Sequence, residues 1–376
     1  MPLRLLVVVA AVAIALVLPV QALAAPPQPE ARAYLVVNAS TGEVLAARNQ
    51  YAHVPIASIT KLMTVLVALE HVRLGEVVRV DRASAKVGES TIGLRAGERI
   101  TVHDLVAAAL IQSANDAASA LARYAGRGST AAFVSLMNAK ARVLGLRNTH
   151  FVRPDGLDAK GEVSSAADVV TLAEVAMHNP TIRRIVGERT ATISGGRRLT
   201  TWDDLLGTFP GLIGVKTGHT DKAGWCQVAA ARGQGLTVYA AILGSPSRSR
   251  RNADLAELLA WGLSRYRVVP LVQTGRTYAS AEIGWGRKPV PLVAEGPLVR
   301  SVRVGRPFVE RVVAPAALAL PVSAGQALGT VRVYQDGRLV GRRALVAAVS
   351  ARRPGLSGRV RWFAARTVHH AWGWLT

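Results

Sequence analysis

The chain has 376 residues, half of them hydrophobic, enough to bury more than one core; a disordered or fibrous class is excluded. Its single cysteine, Cys226, excludes an intramolecular disulfide framework, so stability must rest on ordinary packing. The formal charge of +22 is concentrated late: from Arg265 onward, 18 basic residues stand against 4 acidic ones, which suits an anionic partner.

At the start, Arg4 precedes an unbroken apolar run from Leu5 to Val20 and small residues at Ala22 and Ala24. This is the build of a secretory signal peptide over residues 1–24, and it predicts an exported body beginning at Ala25; an uncleaved membrane anchor is the alternative, and it too leaves the body exported. Next, "ARAYLVVNASTGEVLAARNQ" alternates apolar and polar residues around a turn, which reads as a β-hairpin from about Ala33 to Arg48. Residues 58 to about 186 are mainly helical in pattern, with runs such as "TVHDLVAAALIQSANDAASALARYA" broken by Gly and Pro. From Gly211 strands return: "LIGVKTG", then "WCQVAAARG" and "LTVYAAILG" joined through "GQG" as a hairpin, and then a helix, "NADLAELLAWGLSRY". Strands at both ends with helices between predict an α/β (α+β) domain over residues 25–267, an antiparallel sheet flanked by helices.

Residues 268–350 are Val-rich and punctuated by Gly and Pro every ten or so positions, which predicts a small all-β C-terminal domain. Residues 351–376 hold three of the seven tryptophans. On a helix, Val360, Phe363, Thr367, Ala371 and Trp374 share one face, while Arg359, Arg366, His369 and His370 lie largely elsewhere. That pattern predicts a tail associating with an anionic membrane surface; packing of the tail on the β-domain is the alternative. No zinc-finger spacing or basic-aromatic sheet signature is present, so no nucleic acid is expected as a partner.

The chemistry is carried by three short stretches. In "IASITKLMTVLVALE", Ser58 and Lys61 are spaced i, i+3, so on a helix the lysine amine reaches the serine hydroxyl. A serine is a poor nucleophile until a neighbour takes its proton, and a desolvated lysine can do so. Alone the pattern fits a helix cap and a solvated charge equally well. The second stretch, "SAN", places Ser113 and Asn115 on an interruption of a helical run; the third, "KTG", places Lys216, Thr217 and the unobstructing Gly218 at a strand end. The ordered set S-x-x-K, S-x-N, K-T-G is that of serine penicillin-binding proteins and class A β-lactamases.

With those motifs in place, the sequence resembles the low-molecular-mass penicillin-binding proteins that are serine D-alanyl-D-alanine carboxypeptidases. The resemblance runs over roughly residues 30 to 265 and includes "VVNASTGEVLAARN", "SANDAA", "FVSLMNAKARVLGLRNTHFVRPDGLD" and "KTGHTDKAGWC". It implies that Ser58 attacks the carbonyl between two D-alanines and that Lys61 accepts its proton. Ser113 would pass a proton to the leaving amine, and Asn115 would hold the substrate amide. Lys216 would supply positive potential, Thr217 would bind the terminal carboxylate with Arg251 assisting, and the N–H groups of Ser58 and His219 would form an oxyanion hole. The implied substrate is the peptidoglycan pentapeptide stem, with β-lactams acylating Ser58, at the extracytoplasmic face of the cell membrane or wall. No metal or organic cofactor is implied.

The sequence departs from the family at two places: Asn38 stands where an Asp is expected, and "TTWDDLLG" lacks an asparagine often present there. Two alternatives stay open. A class A β-lactamase would need a further Glu, in E-x-x-x-N, to hydrolyse the acyl-enzyme; Glu162, Glu174 and Glu188 all lack the Asn four residues on. A non-catalytic envelope protein binding peptidoglycan or β-lactams is disfavoured by three intact motifs. A zinc peptidase is disfavoured because the eight histidines show no H-E-x-x-H. Cys226 lies in an apolar strand-like run and is expected to be an inert packed thiol.

Overall fold

A computed structural model describes residues 25–360 and 362–364, together with the backbone of one short strand, β1 (Val7–Ala10). Apart from that strand, the segment read as a signal peptide lies outside the described residues. The chain divides into two compact units between Ser264 and Arg265, three residues before the boundary read from the sequence.

In the first unit, β2 (Ala33–Asn38) and β3 (Glu43–Arg48) form the expected hairpin. Its turn is fixed by Asn38, whose side-chain oxygen accepts a hydrogen bond from the Ser40 N–H at 2.8 Å. An amide oxygen therefore does here what a carboxylate oxygen would do, so the expected Asp is dispensable. After a 3₁₀ turn at Ala57–Thr60 comes α1 (Lys61–His71), buried at every position from Lys61 to Ala68. A helix apolar on all sides belongs in a core, and this one carries its first residue, a lysine, in with it.

A small antiparallel pair, β4 (Val77–Arg79) and β5 (Arg99–Thr101), precedes α2 (Val102–Ala107), which runs into a π turn at Ala108–Gln112. Then follow α3 (Asn115–Ala125), α4 (Thr130–Val143), α5 (Ala166–His178) and α6 (Pro180–Ile185). Several begin as the sequence dictates: Thr101, Ser129 and Ser165 cap α2, α4 and α5 through their hydroxyls, and Pro180 opens α6. A second small hairpin pairs β6 (Thr190–Ile193) with β7 (Arg197–Thr200).

The three remaining strands, β8 (Leu212–Thr220), β9 (Gly224–Gly233) and β10 (Leu236–Ser245), complete a five-stranded antiparallel sheet in the order β3-β2-β10-β9-β8. The N-terminal hairpin thus closes the sheet at one side, and β8, carrying the K-T-G stretch, is left as the other edge. The helix α7 (Arg248–Ser264) packs on β10, β9 and β2; α5 packs on β10 and β2 as well. Alternate residues divide between these layers. Leu35, Val37, Tyr239, Ala241 and Leu243 join the helical core, while Val36 and Val238 lie against Gly262 of α7.

The second unit is all-β apart from its end. It contains β11 (Tyr266–Val272), β12 (Thr277–Ala281), β13 (Val290–Ala294), β14 (Leu298–Arg303), β15 (Phe308–Pro315), β16 (Ala327–Gln335) and β17 (Arg338–Ala347). Six strands form one sheet, β1-β15-β16-β17-β13-β12, and β11 pairs with β14. Val331, Val333 and Leu345 centre its core. At the end, 356–360 and 362–364 are helical; Trp362 packs edge-on against Trp285 with ring centroids 5.1 Å apart, while Val360 and Phe363 stay exposed. The rest of the tail read as amphipathic lies outside the described residues. Among the described residues, no helix is long and apolar enough to cross a membrane.

Candidate active site

The turn that carries Ser58, the expected nucleophile, is held in an unusual backbone. Ala57 has φ +49°, and Ser58 follows it half-buried at the foot of α1. Gly156 presses against this turn: a Cβ there would lie 2.2 Å from the Ala57 carbonyl oxygen, so no other residue fits. Thr60, in the same turn, donates to Glu162 at 2.9 Å.

At the first position of α1, Lys61 is fully buried. Its Nζ lies 2.6 Å from Ser58 Oγ, 2.6 Å from Asn115 Oδ1 and 2.6 Å from the Asp155 carbonyl oxygen. Burial pushes the Lys61 amine down to about 7; the charges of Asp155 and Glu89 oppose that shift only in part. A lysine in this state exchanges its proton readily at neutral pH, and it touches the hydroxyl it would deprotonate.

The second motif is placed by the π turn. Ser113 follows it in a left-handed conformation, φ +63°, with only a small exposed surface. Such strain in a non-glycine residue requires support from its surroundings. Asn115 supplies some: its N–H donates to the Ser90 carbonyl at 2.7 Å and its side-chain amide to the Gly88 carbonyl at 3.0 Å.

From the sheet edge, Lys216 Nζ donates to Ser113 Oγ at 2.8 Å and to the Thr217 carbonyl at 3.0 Å. Burial drives its pKa well down, and the nearby Lys61 pushes in the same direction. Two lysines thus flank the two motif serines, one behind each hydroxyl. Gly218 is needed for a reason sequence reading did not give. A Cβ there would lie 2.9 Å from the Ile56 carbonyl oxygen and 3.0 Å from the Ser58 nitrogen, so it lets the edge strand approach the nucleophile turn.

These elements enclose a cleft of about 220 Å3 lined by Ser58, Ser113, Asn115, Thr217, Gly218, His219 and Arg251. Lys61 and Lys216 lie buried beneath it. All nine residues expected from the sequence therefore converge. The His219 ring packs on the Trp225 ring with centroids 4.1 Å apart. Arg251 is almost wholly buried; its Nη2 donates to Asn252 Oδ1 at 2.6 Å and approaches Asp204 Oδ2 at 3.5 Å. The "WDD" stretch, read only as a departure, thus contributes: Asp204 anchors Arg251, and Trp202 forms part of the wall, its indole donating to the Gln112 carbonyl at 3.0 Å.

Glu89, Ser90, Trp202 and Trp225 also line the cleft and were missed as site residues. The only signal for Trp225 was its place beside the third motif. Glu162, considered as a deacylating acid, is buried with both oxygens occupied, by Thr60 and by the N–H groups of Val152 and Arg153, and is not part of the cleft wall. Cys226 is fully buried, and burial raises its thiol to about 11, so it is no nucleophile.

A family model for D-alanyl-D-alanine carboxypeptidases matches residues 20–247, which includes every residue of the cleft except Arg251. The chain is 30% identical over 367 residues to the D-alanyl-D-alanine carboxypeptidase DacA of Escherichia coli, covering 92% of this chain and 90% of that one. The chain belongs to the D-alanyl-D-alanine carboxypeptidase family.

Other members agree with that membership. The carboxypeptidase DacF of Bacillus subtilis is 29% identical over 339 residues, 87% of each chain. The solved D-alanyl-D-alanine carboxypeptidase of Mycobacterium tuberculosis is 32% identical, with a TM-score of 0.61 over 65% of this chain and 95% of that one. Penicillin binding protein 5 of Haemophilus influenzae, 24% identical, shares the fold with a TM-score of 0.65 over 88% of this chain and all of the other. This carboxypeptidase is therefore a serine hydrolase, a mixed α/β catalytic unit followed by a β-rich unit.

Proposed function

We propose that this carboxypeptidase removes the terminal D-alanine from peptidoglycan pentapeptide stems through an acyl-enzyme on Ser58. The observation that carries the reading is the 2.6 Å contact between Ser58 Oγ and a lysine whose pKa burial has lowered to about 7. The stem lies extended along the free edge of β8, where unpaired backbone groups receive a strand. Thr217 and Arg251, both on the cleft wall, meet the terminal carboxylate, while Asn115 holds the preceding amide.

Ser58 Oγ attacks the carbonyl between the two D-alanines as Lys61 takes its proton. The N–H groups of Ser58 and His219 receive the developing oxyanion, a donor pair worth a few kcal/mol (about 3) in the transition state. The C–N bond breaks as Ser113 protonates the leaving amine and is itself reprotonated from Lys61, which returns to its base form; Lys216 holds Ser113 in position for that relay. Water then attacks the ester with Lys61 as base, and the serine is regenerated.

A β-lactam presents the same carbonyl within a strained ring, so it acylates Ser58. Release is slow, because among the described residues no buried acid lines the cleft to drive deacylation: Glu162 is occupied elsewhere and Glu89 is exposed at the mouth. The protein works outside the cytoplasm, and its basic C-terminal tail associates with anionic membrane. The test is intact mass and peptide mapping after benzylpenicillin: one adduct, on the peptide containing Ser58 and lost in Ser58→Ala, is expected. An adduct elsewhere, or rapid turnover of a chromogenic cephalosporin, would overturn the assignment.

A further inference from the structure

The second unit aligns its positive charge rather than scattering it. Arg311 on β15 sits directly opposite Arg332 on β16, and Arg332 sits directly opposite Arg342 on β17. All three are exposed and point to the side of the sheet away from the core built by Val331 and Val333. Directly opposed residues on adjacent strands lie about 5 Å apart, so three like charges form one row across roughly 10 Å.

Nothing neutralises this row. Among the described residues, no carboxylate pairs with any of the three arginines. Of the unit's few acids, Glu310 is buried against Arg276, and Asp336 pairs with Arg306. Arg311 instead lies over the Tyr334 ring at 5.0 Å. Like charges directly opposed weaken a sheet, so the register maintains a local cost that an anionic ligand would relieve.

A second row runs beside the first. Val309 is paired with Tyr334, and Tyr334 with Leu339, two residues from the arginines on β15 and β16 and three on β17. Val309 is 37% and Leu339 52% exposed, large apolar side chains left in solvent. A bulge between Val333 and Tyr334 shifts the pairing here by one residue and turns Leu339 outward, while Val340 packs on the core.

We propose that this sheet face binds an anionic lipid bilayer, the arginine row meeting headgroup phosphates and the row of Val309, Tyr334 and Leu339 entering the boundary beneath them. The apolar row decides between lipid and a soluble polyanion. A hydrated polymer offers nothing for Val309 and Leu339 to bury against, whereas cations beside apolar and aromatic side chains are the build of an interfacial surface. None of these residues belongs to the catalytic cleft or to the segment 351–376.

The test is sedimentation of the purified protein with phosphatidylcholine vesicles, with and without phosphatidylglycerol, at low and high salt. Each arginine near such a surface is worth about a fivefold change in partitioning. The Arg311→Gln, Arg332→Gln, Arg342→Gln triple variant is therefore expected to lose on the order of a hundredfold in binding to the anionic vesicles. Wild-type binding weakens with salt. Leu339→Ser lowers binding to the same vesicles while leaving its salt dependence in place.

The triple variant should melt no lower than the wild type, since like charges have been removed. If it does melt lower, Arg332→Gln alone reads the same surface, with about a fivefold loss expected. Wild-type-like vesicle binding by folded Arg332→Gln and triple variants would overturn the proposal and place membrane binding on the tail. Equal capture of the protein by soluble polyphosphate, with Leu339→Ser without effect on vesicles, would overturn it in favour of a polyanion site.

Discussion

Lys61 Nζ stands 2.6 Å from Ser58 Oγ with no solvent-exposed surface of its own. The consequence is a pH profile. The base form of Lys61 is the deprotonated one, so kcat/KM should rise with pH along an acid limb centred near 7, where burial has placed the amine. Glu89 lies at the cleft mouth, and its charge raises the Lys61 pKa. Glu89→Gln should therefore move that limb to lower pH, increasing the fraction of full activity seen at pH 6. Stopped kinetics with a D-Ala-D-Ala peptide across pH 5 to 9 reads both limbs; an unshifted limb in the variant would contradict the electrostatic link.

Stability carries the same signature with a definite sign. Lys61 and Lys216 have folded-state pKa values below the ordinary lysine value of 10.5. Between about 7 and 10.5 the unfolded chain holds the Lys61 proton that the folded protein has released, so stability rises with pH in that window. Thermal melts of the wild type should climb from pH 7 to pH 9, and the climb should shrink in Lys61→Met. An identical slope in the variant would show that the buried amine is charged in the folded state.

Ser113 is bonded to Lys216 at 2.8 Å in a backbone that few side chains tolerate. Ser113→Ala keeps the same left-handed position and removes only the hydroxyl. It should cost about 10²- to 10⁴-fold in kcat, the usual contribution of one positioned proton donor, with little change in melting temperature. Rapid-quench kinetics with the peptide check this; an unchanged kcat would remove Ser113 from the proton path.

Gly218 tests how closely the edge strand must approach. In Gly218→Ala the new methyl meets the Ile56 carbonyl at 2.9 Å and the Ser58 nitrogen at 3.0 Å, so β8 must move away from the nucleophile turn. Misplacement of this order costs about a hundredfold in rate. The rate constant for acylation by benzylpenicillin should fall by about that factor while Lys61 keeps its acid limb. Wild-type acylation would mean that strand and turn part without consequence.

Much of this was legible because motifs of fixed spacing ride on regular elements. The i, i+3 spacing of Ser58 and Lys61 survives in the 3₁₀ turn and the first turn of α1, and "KTG" lies on the strand its apolar prefix announces. The hairpin at Ala33 to Arg48 and the strands after Gly211 followed from alternation and turn residues. Glu89 and Trp202 were not legible, since each reaches the cleft from a loop whose path is set by tertiary contacts. Gly218 was noticed for leaving a ligand unobstructed; that the protein's own Ile56 and Ser58 backbone also excludes a side chain there was not legible. The arginine row was invisible as well, because a charge surplus carries no register. Only the pairing of β15, β16 and β17 brings Arg311, Arg332 and Arg342 together.

The central claim is tested most directly by free D-alanine. The wild type and Ser58→Ala are each incubated with a peptide ending in Lys-D-Ala-D-Ala, and the released amino acid is measured. The account requires one D-alanine per peptide from the wild type and none from folded Ser58→Ala. D-Alanine released equally by both proteins would contradict it, for the hydroxyl beside Lys61 would not be the nucleophile.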